Sequence, residues 1–170
     1  MSRTGIIGFI IFFFLLVVLQ VLVFDKIHLF GYATPLLSVY FLIKLPAEIN
    51  RSISLLLAAA LGLTIDFFAG TLGFNLLACV VLAFLRPAIL NFYAPRDHFD
   101  NYIPSFDSLN PRMMILYTFF MTFLHHALIF SIESLSVFHL LDLVLRIATS
   151  VILTALIILA CESLRWNWFD

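Results

Sequence analysis

Charged residues are scarce in this chain: Asp, Glu, Lys and Arg make up 11% of its 170 residues, and the net charge is −1. Soluble domains are roughly a quarter charged, so this chain lacks the polar surface that a water-soluble fold needs. It is instead 64% hydrophobic, with 20 Phe residues and a mean hydropathy of +1.13. The lipid bilayer is therefore the expected solvent. The absence of a basic patch that could neutralise phosphates argues against nucleic acid as a partner.

Residues that commonly bind metals or catalyse reactions are equally sparse. The two cysteines, Cys79 and Cys161, lie in apolar stretches without a C-x-x-C motif or a His/Cys cluster, so we interpret them as small buried hydrophobes. His125 and His126 are neighbours, and on a helix their side chains diverge by about 100°, which argues against a shared metal ion. The sequence has neither a nucleophile–base pair nor a phosphate-binding loop of the G-x-x-x-x-G-K type. We therefore expect no enzyme activity, no metal and no cofactor.

Long apolar runs fill most of the chain. Backbone polar groups in lipid must be hydrogen-bonded within their own segment, so these runs predict an all-α, polytopic membrane bundle of six transmembrane helices in one domain, 1–170. The first run is an uncleaved span, because about 20 apolar residues reach across about 30 Å of hydrocarbon. The second is the shortest and starts at Thr34 and Pro35, a residue pair typical of a helix start, or earlier, near His28. The expected spans are residues 5–24, 33–45, 53–69, 72–92, 113–132 and 138–162.

Lysine and arginine are unevenly distributed between the two expected sides of the membrane. With six spans, Lys26 alone lies on the far side, and Arg146 lies within the sixth span. Because an excess of positive charge marks the cytoplasmic side, both termini and the loop 93–112 are expected in the cytoplasm. That loop is either an ordered connector or a docking surface for cytoplasmic partners. The seven positive residues on the side of the termini are Arg3, Lys44, Arg51, Arg86, Arg96, Arg112 and Arg165.

Several ionisable residues fall inside the expected spans, where their burial is costly and each is a functional candidate. With the expected topology, Asp66, His139, Asp142 and Arg146 fall in one layer near the outer face, together with Asn75. Asp142 and Arg146 are four residues apart and share a helix face. We expect Arg146 to pair with Asp142, with Asp66 or with both. Such residues either hold the bundle together, bind a partner or form a ligand or proton path.

The most informative segment is 62–75, which reads GLTIDFFAGTLGFN. A glycine, then an aspartate four residues later, close the third span, and a short glycine-containing turn leads into the fourth. Small residues from Ala58 to Gly62 also predict a close helix–helix seam, within the bundle or with a partner. The segment resembles the central signature of the rod-shape-determining protein MreD family, and the residues that match it are Gly62, Asp66, Gly70 and Gly73.

The resemblance implies a non-catalytic scaffold of the bacterial cell-elongation machinery in the plasma (inner) membrane, where it supports cell shape and peptidoglycan synthesis. Proteins of this family associate with the bitopic protein MreC and, through it, with the actin-like MreB filament. They also associate with the RodA glycosyltransferase and its transpeptidase partner. The fold of the family resembles the six-helix substrate-binding components of energy-coupling-factor vitamin transporters. The alternative function is therefore a membrane component that binds a small, vitamin-type molecule.

Overall fold

The computed structural model describes residues 3–24, 33–71, 73–93, 102–133 and 140–166. Among these residues, helices α3, α4, α5 and α6 are each long and apolar enough to cross a membrane. Helix α1 is also apolar along its 20 residues. The chain is therefore a helical membrane bundle. Its helices are α1 (Arg3–Leu22), α2 (Ser38–Ile43), α3 (Arg51–Ala69), α4 (Phe74–Tyr93), α5 (Pro111–Glu133) and α6 (Leu140–Trp166).

Successive helices of the bundle run in opposite directions. Asn75, at the start of α4, contacts Asp66 near the end of α3, and Tyr93, at the end of α4, packs on Tyr117 in the first half of α5. Contacts between α5 and α6 likewise join the end of one to the beginning of the other, through Glu133 and Arg146. The bundle therefore has two ends, named below after Asp66 and Lys44.

The second predicted span is mostly not a helix. Only the six residues of α2 are helical, so the prediction of a helix over 33–45 that starts at Thr34 and Pro35 is wrong. The segment is nevertheless buried at the centre of the bundle, apart from the half-buried Thr34. Phe41 packs there against three rings of α1: Phe9, Phe12 and Phe13. It runs antiparallel to α1 and parallel to α6, from the Asp66 end to the Lys44 end.

Helix α3 is capped at both ends. The Asn50 side chain accepts from the Ser52 N–H at its start, and Gly70 ends it with a left-handed backbone at φ 68°, as is typical of a C-terminal glycine. Ala58 and Gly62 lie on its buried face, whereas Leu56 and Phe67 are exposed. The predicted small-residue seam is thus a contact within the bundle at Ala58 and Gly62.

The connection between α4 and α5 is partly ordered against the bundle. Helix α4 continues for six residues beyond Pro87, so this proline does not end it. Of the predicted loop 93–112, residues 94–101 lie outside the described residues. The rest folds as turns, in which Leu109 is fully buried and the Tyr102 carbonyl accepts from the Ala47 N–H at 2.8 Å. Residues 102–110 therefore form an ordered connector that covers the Lys44 end.

Candidate functional site

Asp66 joins the end of α3 to the start of α4. Its Oδ1 accepts from the backbone N–H of Asn75 at 3.1 Å, from Asn75 Nδ2 at 3.0 Å and from the Thr71 hydroxyl, while Oδ2 accepts from the Leu76 N–H at 2.9 Å. The second and third residues of α4 thus receive an N-terminal cap from another helix. A negative charge at a helix N-terminus is also favoured by the helix dipole. Asp66 is therefore the residue that fastens the hairpin between α3 and α4.

The glycines of the same segment make this hairpin sterically possible. A Cβ atom on Gly62 would lie 2.5 Å from Leu76 Cα and 2.6 Å from the Asn75 carbonyl oxygen, so only glycine allows the two backbones to approach this closely. Gly70 and Gly73 both have positive φ, 68° and 79°, where a side chain is strained. Each of the four matching residues of segment 62–75 thus has a structural reason to be there.

The expected pairing of Arg146 is wrong. Its guanidinium contacts Glu133 at 3.8 Å, and neither Asp66 nor Asp142 takes part in an ion pair among the described residues. Asp142 is exposed in the first turn of α6, where its charge complements the helix dipole. His139 lies outside the described residues. The sequence missed Glu133 because it reads as part of a turn, whereas it is the last residue of α5.

A cavity of about 490 Å³ opens at the Asp66 end, within the size range of small-ligand sites. Asn75 and Arg146 both line it, which brings two residues of the predicted polar layer to one place. Glu133 adds a negative charge to the same wall. Apolar side chains of α1, α3, α4 and α5 complete the lining, among them Leu22, Phe68 and Phe130.

The non-helical start of the second segment is hydrogen-bonded by side chains of its neighbours. Gln20 of α1 accepts from the Leu37 N–H at 2.6 Å and donates to the Pro35 carbonyl at 3.3 Å. On α6, the Ser150 and Thr154 hydroxyls accept from the N–H groups of Thr34 and Leu36, at 3.0 and 3.2 Å. Irregular backbone at membrane depth is tolerated where protein groups satisfy it in this way. These three side chains therefore stabilise a non-helical backbone segment at the centre of the bundle.

A buried ion pair lies at the other end of the same segment. Lys44 Nζ contacts the two Glu162 carboxylate oxygens at 2.9 and 3.0 Å and also donates to the Pro104 carbonyl at 2.7 Å. The Tyr40 hydroxyl donates to the same carboxylate at 3.0 Å. The Lys44 and Glu162 side chains are each only 3% exposed, so either charge would be strongly destabilising if the other were absent. This cluster ties α2, α6 and the 102–110 connector together.

Arg86 is buried near this cluster and holds the backbone that follows α2. Its guanidinium donates to the Pro46 carbonyl at 3.2 Å and to the Leu45 carbonyl. Buried backbone carbonyls need donors, and a guanidinium supplies several in one plane. Burial raises the pKa of the nearby Tyr102 phenol, an effect that the charge of Arg86 opposes.

The two adjacent histidines point to different neighbours. His126 Nε2 lies 3.2 Å from the Thr154 hydroxyl, and His125 Nε2 lies 3.7 Å from Cys79 Sγ. Both imidazoles are fully buried between α4, α5 and α6. No group of three or more His, Cys, Asp or Glu side chains suited to a metal ion occurs in the part of the chain that the structure describes.

No family model matches the chain, and neither does any curated protein or solved structure. The site is therefore interpreted from its own geometry. Sequence reasoning selected Asp66, Asn75 and Arg146 but missed Lys44, Glu162 and Arg86 as buried residues, because charges near helix ends ordinarily lie in the headgroup region. Ser150 and Thr154 offered a usable signal, since hydroxyls four residues apart share one face of an otherwise apolar helix.

Proposed function

We propose that this chain is a non-catalytic membrane scaffold of the bacterial cell-elongation complex that binds an MreC-like bitopic protein. The resemblance of segment 62–75 to the MreD signature is the starting point. The observation that carries the proposal is the use of Asp66: four donors occupy its carboxylate, and all of them belong to the turn and the start of α4. A carboxylate engaged in this way suits a rigid hairpin better than proton transfer.

The buried polar groups of the bundle support the same function. Gln20, Ser150 and Thr154 hydrogen-bond backbone of the central segment, and Lys44 pairs with Glu162. Their hydrogen bonds hold elements of one chain together at fixed positions. A bundle fixed in this way presents a constant surface to other membrane proteins, which is what a scaffold requires. Through its bitopic partner, it would connect indirectly to the MreB filament, the RodA glycosyltransferase and its transpeptidase.

Co-purification is the direct test. The tagged chain is co-expressed with the MreC-like protein of the same genome, or with an unrelated protein that has a single transmembrane helix of equal length. We expect only the MreC-like protein to remain bound through size-exclusion chromatography, and depletion of the chain to turn rod-shaped cells into spheres. Recovery of both partners in equal amounts, or unchanged cell shape on depletion, would contradict the proposal.

The proposal includes six membrane crossings with both termini in the cytoplasm of a bacterial cell, as in the MreD family. The alternating directions of the six segments support it, and so does the position of Lys44, Arg51, Arg86 and Arg112 at one end of the bundle. From Ser150 to Glu162, the central segment follows α6 for about 18 Å. That distance covers more than half of the apolar thickness of about 30 Å.

Cysteine labelling tests this topology. In a variant whose native cysteines are replaced by alanine, Asn110→Cys lies at the Lys44 end and Glu133→Cys at the Asp66 end. A membrane-impermeant maleimide should label Glu133→Cys in intact spheroplasts, and Asn110→Cys only after lysis. Labelling of both positions before lysis would reject the six-span arrangement.

The cavity favours one alternative function, a substrate-binding membrane component of a small-molecule transporter of the vitamin type. Its volume of about 490 Å³ and its mixed lining suit such a ligand. The purified chain would then gain thermal stability with a vitamin and would not retain the MreC-like protein. Retention of the MreC-like protein without any vitamin-dependent shift would eliminate this alternative.

A further inference from the structure

The cavity at the Asp66 end has polar groups on one wall and an opening towards lipid. Leu22 and Phe68 both line the cavity, and they are also 68% and 61% exposed on the outside of the bundle. The cavity is therefore continuous with the surface that faces the bilayer. A molecule that already lies in the membrane can enter it sideways between the last turns of α1 and α3.

Asn75, a lining residue of the cavity, has an unpaired acceptor. Its Nδ2 donates to Asp66 Oδ1 at 3.0 Å, and this bond fixes which side of the amide carries the oxygen, because a carboxylate accepts and does not donate. The remaining atom, Oδ1, has no hydrogen-bond partner among the described residues, although only 7% of Asn75 is exposed. A buried acceptor without a donor is costly, and its partial negative charge favours a cation in the adjoining cavity.

Glu133 and Arg146 give the same wall a charge of each sign. They approach to 3.8 Å with side chains that are 48% and 37% exposed, and such a pair is weak. A guanidinium has five N–H donors in a planar fork that fits phosphate oxygens, so Arg146 retains the capacity to bind an anion. The Arg146 guanidinium also lies 5.5 Å from the centre of the Phe130 ring, which holds it over the apolar part of the cavity.

We propose that this cavity binds a zwitterionic amino-phosphate headgroup, as carried by phosphatidylethanolamine. The phosphate contacts Arg146, and the ammonium group lies towards Glu133. The acyl chains leave the cavity along the apolar side chains of α1 and α3, at Leu22 and Phe68. A headgroup is favoured over a free molecule because the cavity lies where long apolar helices end, at the depth of lipid headgroups.

The test uses the full-length chain in nanodiscs that contain phosphatidylethanolamine and phosphatidylglycerol in equal amounts. Lipids that remain bound after extraction are then identified by native mass spectrometry. We expect one phosphatidylethanolamine to be retained in preference to phosphatidylglycerol, which has the phosphate but not the ammonium group. Equal retention of the two lipids, with no discrete bound molecule, would show annular lipid only and overturn the proposal.

Variants separate the two halves of the headgroup. Arg146→Gln should weaken retention of both lipids about tenfold, since a charged hydrogen bond is lost. Glu133→Gln should abolish the preference for phosphatidylethanolamine while leaving the phosphate contact. The matched controls are Arg112→Gln and Glu48→Gln, which change exposed residues near the Lys44 end and should leave retention unchanged. Asn75 is not varied, because its amide also holds Asp66.

Soluble phosphoethanolamine distinguishes the headgroup from the whole lipid. If it displaces the bound lipid at low concentration, the cavity recognises the free amino-phosphate as well. If only phosphatidylethanolamine binds, the acyl chains contribute, as the opening towards the bilayer predicts. Unchanged lipid retention in Arg146→Gln, with thermal stability equal to wild type, would refute the assignment of the phosphate to Arg146.

Discussion

Gly62→Ala is the sharpest test of the hairpin between α3 and α4. Alanine is a better helix former than glycine by about 1 kcal/mol, so an isolated helix would be stabilised by the change. In the folded chain, the new Cβ would meet backbone atoms of Asn75 and Leu76 at 2.5–2.7 Å, closer than the 3.0 Å below which real Cβ contacts are essentially absent. These atoms belong to the start of α4, which Asp66 holds in place. Relief therefore requires that the two helices separate.

The expected magnitude follows from these two opposing effects. Overpacking typically costs about 1–3 kcal/mol, and contact with fixed backbone belongs at the upper end of that range. After the gain in helix propensity is subtracted, Gly62→Ala should lower the free energy of unfolding by about 2 kcal/mol. For a chain of this length, that corresponds to a fall in Tm of about 4–8 °C.

Gly8→Ala is the matched control, because Gly8 also lies within a helix but a Cβ atom added to it would meet nothing within 4 Å. It should leave Tm unchanged or raise it by about 2–4 °C. Both variants are heated in the same detergent, and helix content is followed by far-ultraviolet circular dichroism. If Gly62→Ala melts at or above the temperature of Gly8→Ala, the close approach of α3 and α4 is refuted.

Three further changes test the buried polar groups by the same thermal assay. Asp66→Asn replaces an oxygen that accepts hydrogen bonds by an NH₂ group that faces other donors, and should lower the free energy of unfolding by about 1–3 kcal/mol. A Tm equal to that of the wild type would contradict the capping role. Lys44→Met leaves Glu162 buried without its cation and should cost about 3–5 kcal/mol of stability. Adding Glu162→Leu should restore most of that loss. A double variant less stable than the single one would contradict a direct ion pair. Thr154→Val removes the acceptor for the Leu36 N–H and also the hydroxyl beside His126 Nε2, and should cost about 1–3 kcal/mol. Thr149→Val, whose hydroxyl bonds only within α6, should change little, and equal effects of the two variants would refute the support of the central segment.

Much of the helix pattern was predictable because the membrane restricts the choices. The boundaries predicted for the first, third, fourth and fifth spans differ from α1, α3, α4 and α5 by at most two residues. Apolar length and flanking polar residues suffice for this, since a spanning segment in lipid must be helical. The C-terminal glycine of α3 was also predictable, because only a left-handed residue ends a helix in that way at low cost.

The second segment was not predictable from its own residues. Its sequence from Ala33 to Leu45 is mostly apolar, and such a run is compatible with a helix or with a buried extended segment. The outcome depends on Gln20, Ser150 and Thr154, which accept or donate the hydrogen bonds that a helix would have made internally. Two of these residues are more than 100 positions away in the chain, so no local pattern reports them.

The candidate site was predicted in its members but not in its contacts. Asp66, Asn75 and Arg146 were placed in one layer, and Asn75 and Arg146 do line one cavity. The error was to assume that opposite charges at similar depth pair directly. Asp66 is instead occupied by backbone N–H groups, which are present at every helix start and are nearer than any side chain on α6.

The two ends of the bundle use buried charge in opposite ways, and this difference bears on where binding occurs. At the Lys44 end, Lys44, Glu162 and Arg86 are each at most 3% exposed, and the 102–110 connector covers them. Opening that end would separate buried charges from the protein groups that replace their hydration. That end is therefore suited to remaining closed. At the Asp66 end, Glu133 and Arg146 stay partly exposed beside a cavity that opens towards lipid. Occupying that end requires little desolvation of charge, and for this reason a headgroup or a partner is expected there rather than at the Lys44 end.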